Sequence, residues 1–362
     1  MNKVLLIIED LGGGGAERVF VNIANVFAEN NIEVEFLVGI KTGVYLQILN
    51  PAIPVKEVGG TSLLKYLTSF PKIFKENNYT HIFTASHYPA TAAIIAKKIT
   101  GITAKIYHTH HYAQPLSRGL KHLKGDTILK LFHFFIIPYA DKIIAVSNGA
   151  LQWVRKFSHR KLPQGSFIYN PVFDDTIYDL AKEEVDFPVS IQDKILLLNV
   201  GRLAEQKDQL TLLKAFLIVR NTYPNAILFI LGKGPLQLVL ENFITEHNLH
   251  SSVFLIGFED NPYKWMDKCD VFILSSQYEG FGNVLVEAMA LGKTVVSTNC
   301  IAGPEEILNR GEFGYLCPVK NPEEMAVAIS NAIVSPLDPA MIKQTSKQYG
   351  VDKIVKQYID IL

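Results

Sequence analysis

Short apolar runs alternate with longer helical patterns along this sequence. Residues 4–8 form a buried-strand run, residues 16–30 carry apolar side chains at helical spacing, and residues 33–38 form a second strand run. The alternation continues through strand runs at residues 81–84, 104–108 and 142–146. Strands that alternate with helices predict βαβ units and a parallel sheet, so this half of the chain is expected to be an α/β sandwich.

The rhythm breaks at residues 174–194, which are acidic, contain a proline and show no strong apolar period. A second set of strand runs then follows at residues 195–200, 226–231, 253–256, 271–274 and 294–297. Because 362 residues are enough for two domains, we expect two Rossmann-like α/β domains in tandem. Parallel sheets bind ligands beyond the carboxyl ends of their strands, so the cleft between the domains is the expected site.

The expected domain bounds are residues 1–180 and 191–345. Residues 349–362 have an apolar face of 3.6-residue period, and we expect this C-terminal helix to pack back on the first domain.

Composition excludes several classes of protein. The chain is 48% hydrophobic and 19% charged with a net charge of zero, which fits a packed globular protein rather than a disordered one. Its 3 cysteines match no zinc or redox spacing. The first residues resemble a strand rather than a signal peptide, and no stretch reaches the ~20 apolar residues of a membrane span. A cytoplasmic protein is therefore expected.

The charge is unevenly distributed. Residues 97–161 contain twelve Lys and Arg against Asp126 and Asp141, a local net charge of +10. Aromatic and aliphatic residues lie among these cations, for example between residues 131 and 137. Such a mixture fits peripheral binding to an anionic membrane, and equally an ordinary core helix with a solvated basic face. The sequence leaves both alternatives open.

A cationic motif, GRLAEQK, follows the strand run at residues 195–200 directly. Gly201 allows the backbone to turn, and Arg202 and Lys207 lie five residues apart on the loop before the next helix. Arginine binds a diphosphate bidentately and lysine acts as a point charge. Spacing alone does not separate this reading from two solvated surface cations. The motif GKGP at residues 232–235 is weaker, and a tight strand-to-helix turn explains it.

An acidic motif, EGFGNVLVE, follows the strand run at residues 271–274. Its glycines permit close approach of a ligand, and Asn283 opens a helix that is apolar apart from Glu287. A buried acid among apolar neighbours needs a partner. Two carboxylates, Glu279 on the loop and Glu287 on the helix, can accept hydrogen bonds from sugar hydroxyls in one cleft. The alternative is a helix-capping acid and a solvated acid.

Taken together, these motifs resemble glycosyltransferase family 4, a retaining family with the two-domain GT-B fold. Further matches in the same order, from residue 12 to about residue 317, are GGGGAER at 12–18, HTHH at 108–111, AVSNG at 145–149, YNPV at 169–172 and CIAGPEEIL at 300–308. The register of GR-x4-K with E-x7-E is the specific part of the resemblance.

The resemblance implies a role for each matching residue. Glu287 would bind the ribose hydroxyls of a nucleotide, and Glu279 the hydroxyls of the transferred sugar. The diphosphate would be held by Arg202 and Lys207. The remaining implied donor contacts are backbone amides of Phe281, Gly282 and Asn283, a glycine loop with Gly14 and Gly15 that closes over the diphosphate, and a base site near Gly257 and Phe258.

A histidine facing the donor sugar is also implied. Three histidines at residues 108, 110 and 111 leave the register ambiguous, and strand alternation puts His108 and His110 on the same side. The position in the motif favours His110 over His108. No acid nearby in sequence completes a zinc site, and the family needs no metal or other cofactor for catalysis.

The implied activity is transfer of a sugar, with retention, from a nucleoside-diphosphate sugar such as a UDP-hexose or UDP-N-acetylhexosamine. The acceptor would be a glycan or a polyprenyl-diphosphate-linked saccharide of cell-surface polysaccharide synthesis, and nucleic acid is not an expected partner. An alternative is a nucleotide-sugar 2-epimerase of the same architecture. A dinucleotide-dependent dehydrogenase fits less well, because the sixth position of its glycine fingerprint is Glu17. A catalytically inactive sugar-binding scaffold is a further alternative.

Overall fold

Two fully parallel sheets organise the chain in a computed structural model that describes residues 2–111, 113, 135–157 and 165–362. One unit contains the described residues up to Val172 together with Val351–Leu362, and the other spans Phe173–Gly350. Seven parallel strands in one unit and six in the other confirm the expected pair of α/β domains.

The first unit has the strand order β3-β2-β1-β4-β5-β6-β7. Its strands are β1 (Lys3–Ile8), β2 (Glu33–Val38), β3 (Val55–Glu57), β4 (His81–Thr84), β5 (Lys105–His110), β6 (Lys142–Ala145) and β7 (Gly165–Phe167). Its helices are α1 (Gly15–Glu29), α2 (Leu63–Glu76), α3 (His87–Thr100) and α4 (Asn148–Phe157), with 3-10 turns at Val44–Gln47 and Ile137–Tyr139.

The C-terminal segment belongs to this first unit. It passes residues 351–359 across α1, where Ile354, Val355 and Tyr358 join the apolar cluster that also contains Phe20 and Phe27. The helical period of these apolar positions is what allows one face of the segment to be buried.

The second unit has the strand order β10-β9-β8-β11-β12-β13. Its strands are β8 (Ile195–Val200), β9 (Ala226–Leu231), β10 (Val253–Gly257), β11 (Val271–Leu274), β12 (Thr294–Thr298) and β13 (Tyr315–Cys317). The helices are α5 (Thr176–Leu180), α6 (Gln209–Thr222), α7 (Gln237–Glu246), α8 (Tyr263–Lys268), α9 (Asn283–Ala290), α10 (Pro304–Ile307), α11 (Pro322–Val334) and α12 (Pro339–Ser346), followed by α13 (Val351–Ile359) of the first unit. Two 3-10 turns lie at Asn309–Gly311 and Lys347–Tyr349.

The strand runs read from the sequence are confirmed with shifts of a few residues, the largest at β5, which ends at His110 rather than at residue 108. Three strands were not expected: β3, β7 and β13. Each has three residues and lies at the edge of its sheet. Short edge strands are half-exposed, so they lack the continuous apolar run by which a central parallel strand is recognised.

Part of the basic segment at residues 97–161 lies outside the described residues. This part contains half of its cations, Arg118, Lys121, Lys124, Lys130, Arg160 and Lys161, and three of the six apolar residues between 131 and 137. Lys97, Lys98, Lys105, Lys142, Arg155 and Lys156 are described.

Candidate functional site

The strand order places a topological switch point between β8 and β11 of the second unit. From β8 the chain builds outward through β9 and β10, and it then returns to β11 on the other side before continuing to β12 and β13. Connections that leave in opposite directions open a crevice at the carboxyl ends of the two strands, which is where such sheets bind ligands. The cationic motif follows β8 and the acidic motif follows β11, so both lie at this crevice.

Hydrogen bonds fasten these two loops to each other. Ser275 Oγ donates to the carbonyl of Lys207 at 2.6 Å, and the amide of Gln277 donates to the carbonyl of Gln206 at 2.7 Å. Gln206 Nε2 returns a bond to the carbonyl of Tyr278 at 3.0 Å. The positions of the lysine and of the following glutamate are therefore set by one interlocked pair of loops.

At the centre of the crevice, Lys207 and Glu279 form a direct ion pair. Lys207 Nζ lies 2.5 Å from Glu279 Oε1, with side-chain exposures of 18% and 9%. The same oxygen accepts a second hydrogen bond, at 2.6 Å, from Ser276 Oγ. In the part of the chain that the structure describes, Oε2 of Glu279 accepts no hydrogen bond, so this oxygen has its lone pairs available for a ligand.

Arg202 lies on the same loop and is exposed. Its carbonyl accepts a hydrogen bond from Gln209 Nε2 at 3.2 Å, which fixes the backbone, and its guanidinium forms no salt bridge with any described residue. The Lys207 cation is therefore shared with Glu279, whereas the Arg202 cation is open to an anionic ligand.

Two glycines of GKGP pack against this cationic loop. A Cβ on Gly232, whose φ is +140°, would lie 2.1 Å from the carbonyl oxygen of Gly201, and one on Gly234 would lie 2.3 Å from that of Leu203. This close packing requires glycine at both positions, and Lys233 between them is exposed. At the next strand end, Gly257 has a φ of +90° and Phe258 is 50% exposed.

The acidic motif opens α9. Gly282 caps the helix with a φ of +104°, and Glu287 is buried to 9% exposure one turn further on. The side chain of Phe281 is buried against the Tyr349 ring, with centroids 5.3 Å apart, so only its backbone is available to a ligand. Gly303, with a φ of +93°, packs so closely on this loop that a Cβ would lie 1.8 Å from the Phe281 carbonyl oxygen.

The first unit has its own switch point, between β1 and β4. Gly14 caps α1 without a side chain, and both Gly14 and Gly15 are exposed at that helix start. Ser86 Oγ, beyond β4, donates to Glu9 Oε1, beyond β1, at 3.2 Å. A helix start and a carboxylate thus lie at this second carboxyl edge.

The candidate histidines end β5 of the first unit. His110 is fully buried and stacks on Trp153, with centroids 5.4 Å apart and planes 19° apart. His108 is also buried, and its Nδ1 lies 3.2 Å from Thr84 Oγ1. Their rings are 6.0 Å apart, which agrees with the expected common side. Burial lowers the pKa of His111 to about 4, so this third imidazole is neutral at physiological pH.

The structure therefore brings Arg202, Lys207, Glu279, the Phe281–Asn283 backbone and Glu287 to one edge of the second sheet, together with Gly257 and Phe258. Gly14, Gly15 and His110 lie in the first unit. Sequence reasoning missed Ser275, Ser276, Glu9 and Ser86. A signal was present, because each of these polar residues comes directly after, or within two residues of, a buried strand end.

Two further observations concern metals and membranes. Within residues 2–111, 113, 135–157 and 165–362, no group of three or more His, Cys, Asp and Glu side chains is placed to hold a metal ion. No single helix in those ranges is long and apolar enough to cross a membrane. Residues 322–334 and 339–349 together have the length and apolar composition of a membrane span, but the two helices are bent by 115°.

Comparison with known proteins identifies both halves of the chain. The family model described as Glycosyltransferase Family 4 matches residues 13–175, and the model described as Glycosyl transferases group 1 matches residues 181–349.

One relative is the N-acetylgalactosamine-N,N'-diacetylbacillosaminyl-diphospho-undecaprenol 4-alpha-N-acetylgalactosaminyltransferase of Campylobacter jejuni, 29% identical over 90% of this chain and 88% of the relative. Another is the UDP-Gal:alpha-D-GlcNAc-diphosphoundecaprenol alpha-1,3-galactosyltransferase of Escherichia coli, 25% identical over 83% and 80%. Among solved structures, Anabaena HepE in complex with UDP-glucose matches with a TM-score of 0.80 and 21% identity, over 100% of this chain and 99% of HepE.

Proposed function

Since the chain belongs to the GT-B glycosyltransferases built from a family 4 and a group 1 domain, we propose that it transfers a hexose or N-acetylhexosamine from a UDP-sugar to a lipid-diphosphate-linked saccharide, with retention. Its relatives support the assignment as a glycosyltransferase of polysaccharide or glycolipid synthesis.

The observation that carries the proposal is the meeting of Lys207 and Glu279 at the switch point of the second sheet. A nucleoside-diphosphate sugar presents a dianionic diphosphate next to a ring of neutral hydroxyls. The crevice offers cations for the first and a carboxylate acceptor for the second. Arg202 adds a second, open cation on the same loop.

The ribose and the base of the nucleotide would lie along the carboxyl edge of the second sheet, beside Lys207 and Glu279. Glu287, on α9, accepts hydrogen bonds from the ribose hydroxyls, and the exposed ring of Phe258 offers a face to the base. Amides at the start of α9 face the diphosphate, where the positive end of the helix favours anions. The UDP in the names of the Escherichia coli relative and of the HepE complex supports uracil as the base.

Catalysis in this proposal depends on stabilising the leaving diphosphate. Arg202, Lys207 and the start of α9 provide preorganised positive potential where negative charge develops as the glycosidic bond breaks. A retaining double displacement needs a carboxylate nucleophile beneath the sugar. In this proposal Glu279 instead binds a sugar hydroxyl through Oε2, while Lys207 and Ser276 contact Oε1, so no carboxylate is assigned as nucleophile. We therefore propose internal return, in which the departing phosphate deprotonates the acceptor hydroxyl on the same face.

The first unit is proposed to bind the acceptor. Glu9, held by Ser86, accepts a hydrogen bond from an acceptor hydroxyl. The glycine loop at Gly14 and Gly15 is assigned instead to the diphosphate of the donor. His110, fixed by its stacking on Trp153, faces the transferred sugar. Diphospho-undecaprenol-linked acceptors in the names of two relatives support a lipid-linked saccharide.

Peripheral binding to an anionic membrane is part of the proposal. In the described part of the basic segment, Lys98 Nζ lies 3.4 Å from the Tyr139 ring centroid, and Tyr139, Phe135 and Ile99 are 51%, 50% and 67% exposed. Cations beside exposed aromatic and aliphatic side chains suit a lipid headgroup layer. Sedimentation with anionic liposomes at low and high salt tests this part: binding that weakens with salt is expected, and no binding at either salt contradicts it.

A donor panel tests the activity itself. Nucleoside diphosphate release is measured for each nucleotide sugar with and without a polyprenyl-diphosphate-linked saccharide, and the product is analysed for anomeric configuration. Release that requires both a UDP-sugar and the acceptor is expected. Formation of an epimer of the donor without acceptor would indicate the 2-epimerase instead.

A further inference from the structure

The Glu279 carboxylate has two hydrogen-bond donors of different kinds on one oxygen. Lys207 approaches Oε1 at 2.5 Å and Ser276 approaches it at 2.6 Å. The lysine is also the proposed diphosphate ligand, so two anions compete for it when a donor binds. A diphosphate carries more negative charge than one carboxylate, so the cation is drawn toward the diphosphate.

This shift of Lys207 would remove one of the two hydrogen bonds to the Glu279 carboxylate. Glu279 is only 7% exposed, and a buried carboxylate is costly unless hydrogen bonds remain to it. Ser276 is the donor that cannot leave, because it is fully buried at the end of β11 and its carbonyl accepts a bond from Thr298 Oγ1 at 2.5 Å on the neighbouring strand. The backbone of Ser276 is therefore fixed, and its hydroxyl remains within reach of Oε1 when Lys207 shifts.

We propose that Ser276 is a positioning residue that determines sugar recognition. It holds Oε1 of Glu279 after Lys207 has turned toward the diphosphate, and it thereby aims Oε2 at a hydroxyl of the transferred sugar. The diphosphate thus frees the carboxylate that recognises the sugar. This inference rests on the proposed function, since it assigns Lys207 to the diphosphate and Glu279 to the sugar.

The neighbouring Ser275 provides a natural contrast. Its hydroxyl, also buried at the end of β11, donates to the backbone carbonyl of Lys207 at 2.6 Å and makes no bond to Glu279 within the described chain. Ser275 thus supports the lysine loop, whereas Ser276 supports the carboxylate. Ser252 is a control of the same size. It is buried, its hydroxyl donates to the Leu249 carbonyl at 3.2 Å, and it lies at the amino end of β10, away from the carboxyl ends of the strands.

The experiment compares Ser276→Ala, Ser275→Ala and Ser252→Ala with the wild type. The dissociation constant for UDP is measured by calorimetry, and kcat/KM is measured for the UDP-sugar chosen by the donor panel and for its C4 epimer. For Ser276→Ala, a fall in kcat/KM of about 10- to 100-fold is expected, because a bond to a charged group is lost. UDP affinity should fall by less, because Lys207 is then held more tightly by Glu279. The ratio of kcat/KM between the two epimers should fall as well.

Ser275→Ala is expected to weaken UDP binding, and Ser252→Ala to change neither quantity. Ser276→Thr, which keeps the hydroxyl, restores part of kcat/KM, and Ser276→Cys replaces Ser276→Ala in the test if the alanine variant does not fold. Unchanged sugar kinetics in Ser276→Ala, or equal losses in UDP affinity and kcat/KM, would overturn the inference. A wild type that turns over no nucleotide sugar would instead refute the proposed function, so the two failures are distinguishable.

Discussion

The carboxyl edges of the two sheets differ in how each holds its carboxylate. In the second unit, Glu279 is buried and is bound by a cation and by a hydroxyl. In the first unit, Glu9 is half-buried, is bound by the Ser86 hydroxyl at 3.2 Å, and forms no ion pair among the described residues. The same topology thus supports a charge-compensated site in one unit and an uncompensated carboxylate in the other.

The difference matches the groups that the two proposed substrates would present to these carboxylates. A nucleotide sugar brings its own negative charge and needs cations beside the acid that recognises its hydroxyls. An acceptor hydroxyl is neutral, and a carboxylate without a cation is the stronger hydrogen-bond acceptor for it. Changing the charge at each edge should therefore affect different substrates.

The largest effect is expected from Lys207→Met. Removing the cation takes away stabilisation of the leaving diphosphate, and loss of one preorganised group of this kind costs about 100- to 1000-fold in turnover. Steady-state kinetics with saturating acceptor measure the change. Lys214→Met, on the exposed face of α6, is the matched control and should retain wild-type kinetics.

Lys207→Met also leaves Glu279 buried without its cation, so thermal stability should fall. The double variant Lys207→Met/Glu279→Gln removes that uncompensated charge, and its midpoint of unfolding should recover while its activity does not. Recovery of activity in the double variant would show that Lys207 acts only by neutralising Glu279.

A smaller effect is expected from Gly303→Ala, which should lower the free energy of unfolding and also weaken UDP binding. The added Cβ would lie 1.8 Å from the Phe281 carbonyl oxygen at a φ of +93°, so the loop that carries the second unit's site must move. Gly311→Ala has a similar φ of +101° but no atom within 4 Å of the new Cβ, so it isolates the cost of backbone strain.

Strain alone costs about 1 to 3 kcal/mol. Gly303→Ala should therefore lower the free energy of unfolding by more than Gly311→Ala, and it alone should weaken UDP binding. Urea unfolding and calorimetry measure both quantities. Equal losses in the two variants would show that contact between the Gly303 and Phe281 loops does not shape the site.

How much of the fold and of the site could be predicted from the sequence depends on how far apart in the sequence the interacting residues lie. Central strands such as β8 and β11 are buried on both faces, and their apolar runs revealed the two sheets directly. The motif register also placed Lys207 and Glu279 on loops after these strands. Their ion pair was not predictable, because it joins residues 72 apart and depends on β11 returning beside β8.

The serines were harder still to assign from sequence. Ser275 and Ser276 are adjacent and chemically identical, yet one hydroxyl meets a backbone carbonyl and the other meets a carboxylate. Which hydroxyl points where is set by how the strand end turns, and residue type does not encode that. Glu9 was missed for a related reason, since its partner Ser86 lies 77 residues away at the end of another strand.

The smallest effect is expected from Glu9→Gln, which tests the first unit's edge. The amide keeps the shape of the side chain and removes its charge, so the KM for the acceptor should rise by about tenfold while UDP affinity stays unchanged. Asp10→Asn is the matched control. Asp10 Oδ1 accepts a bond from the Gly12 amide at 2.8 Å, which asparagine preserves, so its kinetics should stay within about twofold of wild type. A rise in the donor KM with an unchanged acceptor KM would assign Glu9 to the nucleotide sugar and remove the contrast between the two edges.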